Sequence, residues 1–256
     1  MRIADFIMKR KILIIILALV GILIGVGIAY VADYYHVTDK EKALADFDSD
    51  NKLVKVTKTD FGYAFDGPGE ENALVFYPGA KVEDLAYADL LKRIAADGTD
   101  CYLVHMPLNF AFLGMNKADK IMSEYDYEHW YLAGHSLGGA MAAVYAEKNA
   151  EKLDGLIFLA AYSTKDLSKS GLKILSVYGS EDKVVNMDKI EQGRKLMPDT
   201  YEEIRVDGAN HAGFGDYGKQ SGDGEASISA DEQKAETADK IIKMIIAPTN
   251  EDEGAA

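Results

Sequence analysis

The chain predicts an α/β fold: a doubly wound, mostly parallel sheet, preceded by one N-terminal transmembrane helix. Three observations carry that prediction. Short apolar runs alternate with stretches of helical periodicity between residues 53 and 247, the pattern of strands buried on both faces and joined by crossover helices. One of those runs, Trp130-Tyr131-Leu132-Ala133, leads through Gly134-His135-Ser136-Leu137-Gly138 and Gly139 into a small-residue helix, Ala140 to Ala146. Finally, Ile12 to Val31 is an uncharged run of 20 residues, long enough to cross a bilayer as a helix.

The N-terminal run organises the chain into segments. Residues 1–11 form a basic head with Arg2, Lys9, Arg10 and Lys11, and residues 12–31 form a signal anchor. The positive-inside rule places the head in the cytoplasm and the rest outside. Gly27-Ile28-Ala29 offers a small-x-small cleavage site and hence a secreted alternative. The apolar run is longer than an h-region of roughly 7–15 residues, which favours an uncleaved anchor. No cysteine directly follows the run, which excludes a lipoprotein anchor. Residues 32–52 read as a polar spacer, 53–247 as the α/β domain, and 248–256 as an acidic tail.

The formal charge of −14 excludes the basic surface that nucleic-acid binding needs. Without the head it deepens to −17, with 24 basic against 41 acidic residues. Cys101 is the one cysteine, so no internal disulfide can form. No Cys/His cluster has zinc spacing, and Asp216 and Asp223 do not match a calcium loop, so neither metal nor cofactor is expected.

Within the domain, Leu53–Thr57 and Phe61–Phe65 read as an antiparallel hairpin at a sheet edge, ended by Asp66-Gly67-Pro68-Gly69. Ala73–Tyr77 is a buried strand that ends in the tight turn Pro78-Gly79-Ala80-Lys81, and a helix follows from about Val82 to Ala96. Further strands are expected at 101–104, 130–133, 156–160, 174–178 and 201–206. Helical periodicity is clearest at 188–197 and 231–246.

The stretch 134–138 is a G-x-S-x-G element in strand–turn–helix context, the setting of a nucleophile elbow. Its glycines free a strained turn from collisions, and Ser136 is raised where the Leu137 amide and the helix N-terminus meet a developing oxyanion. In open α/β sheets, chemistry gathers beyond the carboxyl ends of the strands. Of five histidines, only His211 lies on a loop after the last strand, which makes it the candidate base. Asp182, four residues past the strand 174–178, is the candidate acid, with Glu181 its neighbour and rival. The Ala80 amide, with an uncertainty of one residue, is the candidate second oxyanion donor. Phe110 and Phe112 lie in an apolar stretch, Leu108 to Met115, that either lines an acyl pocket or packs as core. The glycine-rich stretch 207–224 carries His211 and is expected to form a wall of the site.

Taken together, GHSLGGAMAA, YPGAKV, YGSEDKVV and NHAGFGDYG…SGDG resemble the α/β-hydrolase superfamily. More narrowly they are similar to its small dienelactone-hydrolase-like bacterial members, many of them membrane-anchored or secreted. The resemblance spans Leu53 to Ile246 and implies Ser136 as nucleophile, His211 as general base and Asp182 as orienting acid. Dienelactone hydrolases proper use cysteine where this chain has Ser136, which shifts the expected substrate to carboxylic esters in general. Only Tyr162 to Gly171 separates two strands where relatives insert a lid, so no cap domain is expected. The expected activity is hydrolysis of a small ester through an acyl-enzyme. An acyltransferase with the same triad and a non-catalytic anchored binding domain are the alternatives.

Overall fold

The computed structural model describes residues 2–49 and 52–247, so the acidic tail assigned to 248–256 lies outside the described residues. The chain divides after Tyr34 into two units. The first is a single helix, α1 (Arg2–Ala32). Its segment Met8–Ala32, 25 residues containing an 18-residue stretch of mean hydropathy 3.2, is long and apolar enough to cross a membrane. The helix also runs through the basic head, because Lys and Arg are good helix formers and nothing there breaks the backbone ladder.

The second unit begins at Tyr35 and, among the described residues, holds a nine-stranded sheet in the order β1-β2-β3-β5-β4-β6-β7-β8-β9. The outer strands β1 (Phe47–Ser49), β2 (Lys52–Lys58) and β3 (Gly62–Asp66) pair antiparallel, and β3 joins β5 (Thr99–Val104) antiparallel as well. From β5 onward the sheet is parallel through β4 (Asn72–Tyr77), β6 (His129–His135), β7 (Gly155–Leu159), β8 (Lys173–Gly179) and β9 (Tyr201–Val206).

Strand alternation sorts the apolar residues into two cores. Leu74, Phe76, Tyr131, Ala133, Ile157 and Leu159 face one layer, built with α3 (Ala88–Ala96) and α7 (Ala230–Ile246). Ala73, Val75, Tyr77, Leu132, Leu156 and Phe158 face the other, built with α4 (Lys117–Glu124) and α5 (Leu137–Asn149). Burial on both faces is why these strands read as unbroken apolar runs rather than as alternating ones. A capping box opens α7: Ser229 Oγ accepts the Glu232 N–H at 3.1 Å, and the Glu232 carboxylate accepts the Ser229 N–H at 2.8 Å.

Two expectations are corrected. The segment read as a spacer, 32–52, is largely built into the second unit. Tyr35 bridges to Val82, its N–H donating to the Lys81 carbonyl at 2.7 Å. The short helix α2 (Lys40–Leu44) is capped by Asp39, and β1 adds a ninth strand. Ala43 and the partly buried Tyr35, Val37 and Phe47 are spaced too sparsely among charges to show a period. The helix expected over 82–96 starts later, as a 3₁₀ turn at Asp84–Tyr87 followed by α3. The remaining helix, α6 (Met187–Arg194), is capped by the Asn186 side chain.

Candidate functional site

The chain reverses from β6 into α5 within one residue, Ser136, whose φ of 53° and ψ of −121° lie in a region that L-residues rarely adopt. Crowding explains the flanking glycines. A Cβ on Gly134 would stand 2.4 Å from the Gly138 carbonyl carbon, and one on Gly138 would stand 2.1 Å from the Tyr77 carbonyl oxygen. The strained turn is pinned by the Ser136 N–H, which donates to the Leu159 carbonyl of β7 at 2.9 Å. Such strain costs roughly 1–3 kcal/mol, and the added unfolded-state freedom of glycine costs roughly 0.5–1 kcal/mol. Ser136→Gly is therefore expected to stabilise the fold by about 1 kcal/mol in urea unfolding. A loss of stability would show that the turn is not strained.

His211 follows β9, and Asp182 follows β8 on the adjacent strand end. Nδ1 of His211 and Oδ2 of Asp182 are 2.8 Å apart, with the two side chains 1% and 0% exposed. The other oxygen, Oδ1, accepts the N–H groups of Val184 and Val185, each at 2.8 Å. The rival Glu181 accepts only the neighbouring Ser180 hydroxyl at 3.1 Å in the same region. The elbow meets His211 through His135, whose ring lies 4.5 Å, centroid to centroid, from that of His211. Ser136, Asp182 and His211 thus follow the carboxyl ends of β6, β8 and β9.

Asp223 is a component that sequence reasoning passed over. Its carboxylate accepts the N–H groups of His211 (3.2 Å), Ala212 (2.8 Å), Gly224 (2.8 Å) and Lys183 (3.4 Å), bracing the loop of His211 against that of Asp182. The run Ser221-Gly222-Asp223-Gly224 carried the signal, since Asp between glycines is a recurrent acceptor for nearby amides. Asp216, the other acid once weighed as a calcium ligand, pairs instead with Lys234, both of its oxygens at 2.6 Å from Nζ.

The Pro78–Lys81 turn lies against the elbow. A Cβ on Gly138 would stand 2.5 Å from the Pro78 carbonyl oxygen, and a Cβ on Gly79 would stand 2.8 Å from His135 Nδ1. Ala80 sits in this turn, and Leu137 is the first residue of α5, where backbone N–H groups have no intrahelical partner. Nearby, the strained Leu108 (φ 55°) and Asn109 (φ 59°) carry the chain past the end of β5. The Phe110 and Phe112 rings meet at a tilt of 38°, with centroids 5.4 Å apart. Leu108, Phe112 and Leu113 are 59%, 52% and 47% exposed, while Ala111 enters the core and Met115 packs against it.

His105 and His129 each pair with a carboxylate of their own. His105 bonds the buried Asp84 at 2.8 Å, and that hydrogen bond raises its pKa. His129 pairs with Asp154 at 3.0 Å at the amino end of β6. A concavity of about 700 Å³ opens at that same amino-terminal edge, between His129, Asp154 and Lys173. It lies at the opposite ends of the parallel strands from Ser136, Asp182 and His211.

Residues 73–235 match the family model described as the alpha/beta hydrolase family. No curated protein sequence matches the chain at a significant level. Among solved structures, Est1E from Butyrivibrio proteoclasticus superposes with a TM-score of 0.56 at 12% identity, covering 79% of this chain and 99% of its own. A predicted CIB-like hydrolase from Thermoplasma acidophilum gives 0.54 at 15% identity, covering 78% and 97%. The thioesterase domain from the curacin biosynthetic pathway gives 0.54 at 10% identity, covering 78% and 98%. At these identities the similarity concerns the fold.

Proposed function

The chain belongs to the alpha/beta hydrolase family, and from that premise we propose that it is a serine hydrolase of carboxylic esters working through an acyl-enzyme on Ser136. The observation that carries this reading is the sealed His211–Asp182 hydrogen bond of 2.8 Å beside a serine held on a left-handed elbow. Ser136 Oγ attacks the ester carbonyl carbon while Nε2 of His211 takes its proton, and Asp182 stabilises the imidazolium. The amides of Leu137 and Ala80 receive the oxyanion. The alcohol leaves with the proton from His211, and water repeats the sequence to release the acid.

The exposed side chains of Leu108, Phe112 and Leu113, together with Phe110, favour an ester with an apolar acyl chain, since exposed apolar clusters mark contact sites. The helix α1 serves as an uncleaved anchor with the catalytic unit outside the cytoplasmic membrane. A mature chain that begins near Tyr30 on N-terminal sequencing would refute the anchor.

The decisive experiment is labelling with a fluorophosphonate probe together with turnover of a short p-nitrophenyl ester. Wild type is expected to label and turn over, and Ser136→Ala to do neither. Equal labelling of the two proteins would overturn the mechanism.

A further inference from the structure

The position between Gly134 and Ser136 in the elbow is occupied by a histidine that the hydrolytic cycle above does not use. His135 is 1% exposed and deeply enclosed. Its Nδ1 lies 2.8 Å from the hydroxyl of Tyr87, which is itself fully buried, and that hydroxyl receives the Gly79 N–H at 3.1 Å. Proton positions follow from this arrangement. The Tyr87 oxygen already accepts from Gly79, and its own single proton has one acceptor among the described residues, Nδ1 of His135. That nitrogen is therefore unprotonated, and the ring proton sits on Nε2. Nε2 is the one buried side-chain polar atom without a hydrogen-bond partner among the described residues, its interaction with the His211 backbone falling short of bonding geometry. Burial, reinforced by the neighbouring His211, depresses the pKa of His135 well below that of an ordinary imidazole and keeps the ring neutral.

The chain of contacts spans three parts of the site. Gly79 belongs to the turn that carries Ala80, His135 precedes the nucleophile, and the His135 ring packs on His211 at 4.5 Å and on Phe214 at 5.6 Å. Gly79 is a glycine for the same reason: its Cβ would stand 2.8 Å from Nδ1 and 2.9 Å from the Tyr87 hydroxyl, inside the relay. We propose that His135 is a positioning residue which, through Tyr87, holds the oxyanion turn in register with the elbow. The proposal rests on the reading of Ser136 as nucleophile for its kinetic consequences, though not for its tautomer.

Phe at position 135 removes the buried, unpartnered Nε2–H but takes the acceptor from the Tyr87 hydroxyl, so one unpartnered donor replaces another. His135→Phe is therefore expected to be no less stable than wild type, yet to lose roughly 10- to 100-fold in kcat, as sub-ångström misplacement of an oxyanion donor does. KM should stay within about twofold, and affinity for a boronate transition-state analogue should fall in parallel with kcat. Tyr87→Phe should reproduce the loss, and the double variant should lose no more than either single, because both cut one relay. His135→Asn, whose amide oxygen can reach the place of Nδ1, should recover most of the activity.

Unchanged kcat per labelled site in His135→Phe and Tyr87→Phe, or fully additive losses, would overturn the proposal. A second measurement does not depend on turnover. Nitrogen-15 NMR of histidine-labelled protein should show His135 in the Nε2–H form between about pH 5 and 8, with Tyr87 and His211 as its titratable neighbours and Tyr217 beyond Tyr87. An Nδ1–H tautomer, or titration in that range, would overturn it even if no ester were hydrolysed.

Discussion

Asp182→Asn is expected to lower kcat by roughly 10⁴-fold while leaving the fold and substrate affinity nearly intact. The reasoning follows from how the carboxylate is held. Oδ1 accepts the Val184 and Val185 N–H groups, both at 2.8 Å, and Oδ2 faces His211 Nδ1 at 2.8 Å. An asparagine at this position has one orientation that avoids placing its NH₂ against two amide donors. Its carbonyl must take the place of Oδ1, so its NH₂ takes the place of Oδ2. The NH₂ then donates to Nδ1 of His211, which moves the ring proton to Nε2. A base already protonated at Nε2 cannot accept the Ser136 proton, although every heavy atom keeps its position. Steady-state kinetics beside thermal unfolding check this: a large fall in kcat, KM within a few-fold, and a melting temperature near that of wild type. A variant within tenfold of wild-type kcat would remove Asp182 from the mechanism and return attention to Glu181.

What was legible in the sequence and what was not divides along a physical line. The elbow showed itself because its steric demands fall on adjacent positions: Gly134 and Gly138 have no room for a Cβ, and the apolar run before them and the small helix after them are contiguous with the serine. The parallel strands showed themselves because burial on both faces forces unbroken apolar runs. Asp182 and His211 could be nominated because each follows a strand, and strand ends are where such a sheet presents its chemistry. By contrast, nothing local marks Tyr87 as the partner of His135, 48 residues away, or Asp223 as the brace for the amides of Lys183 and His211. Those assignments depend on loop geometry beyond the strand ends, which has no periodicity to read. The elements of the segment once read as spacer were hidden for a related reason. The helix α2 has five residues and β1 has three, too short for any period to accumulate.

The second large effect is one of stability, and it centres on a lysine whose importance only the structure shows. Lys234 is 2% exposed. Its ammonium lies 2.6 Å from both oxygens of Asp216 and 2.9 Å from Asp89, which is also held by Arg93 at 3.1 Å. These contacts tie α3 and α7 to the loop that carries His211. Asp216 further anchors that loop by donating its N–H to the Ala86 carbonyl at 2.7 Å and by accepting the Thr38 N–H at 2.8 Å. Removing one member of a buried ion cluster leaves the others desolvated and uncompensated, at a cost of 3–5 kcal/mol when burial is complete. Asp216 is 30% exposed and Asp89 keeps Arg93, so Lys234→Met is expected to lose about 3 kcal/mol, at the lower end of that range. Urea unfolding measures this, and a loss below about 1 kcal/mol would show that the cluster acts as a surface pair does. Asp89 adds a pH signature. Burial alone would raise its pKa, but the bond and charge of Lys234, with Arg93, outweigh burial and hold it below the ordinary value. A depressed carboxylate contributes stability above its unfolded pKa of 3.8 and loses it as the pH falls through the folded value. Wild type should therefore lose stability more steeply than Lys234→Met below about pH 4. The two curves should converge in acid. If they stay parallel, the stabilisation does not come from Lys234 acting on ionised carboxylates.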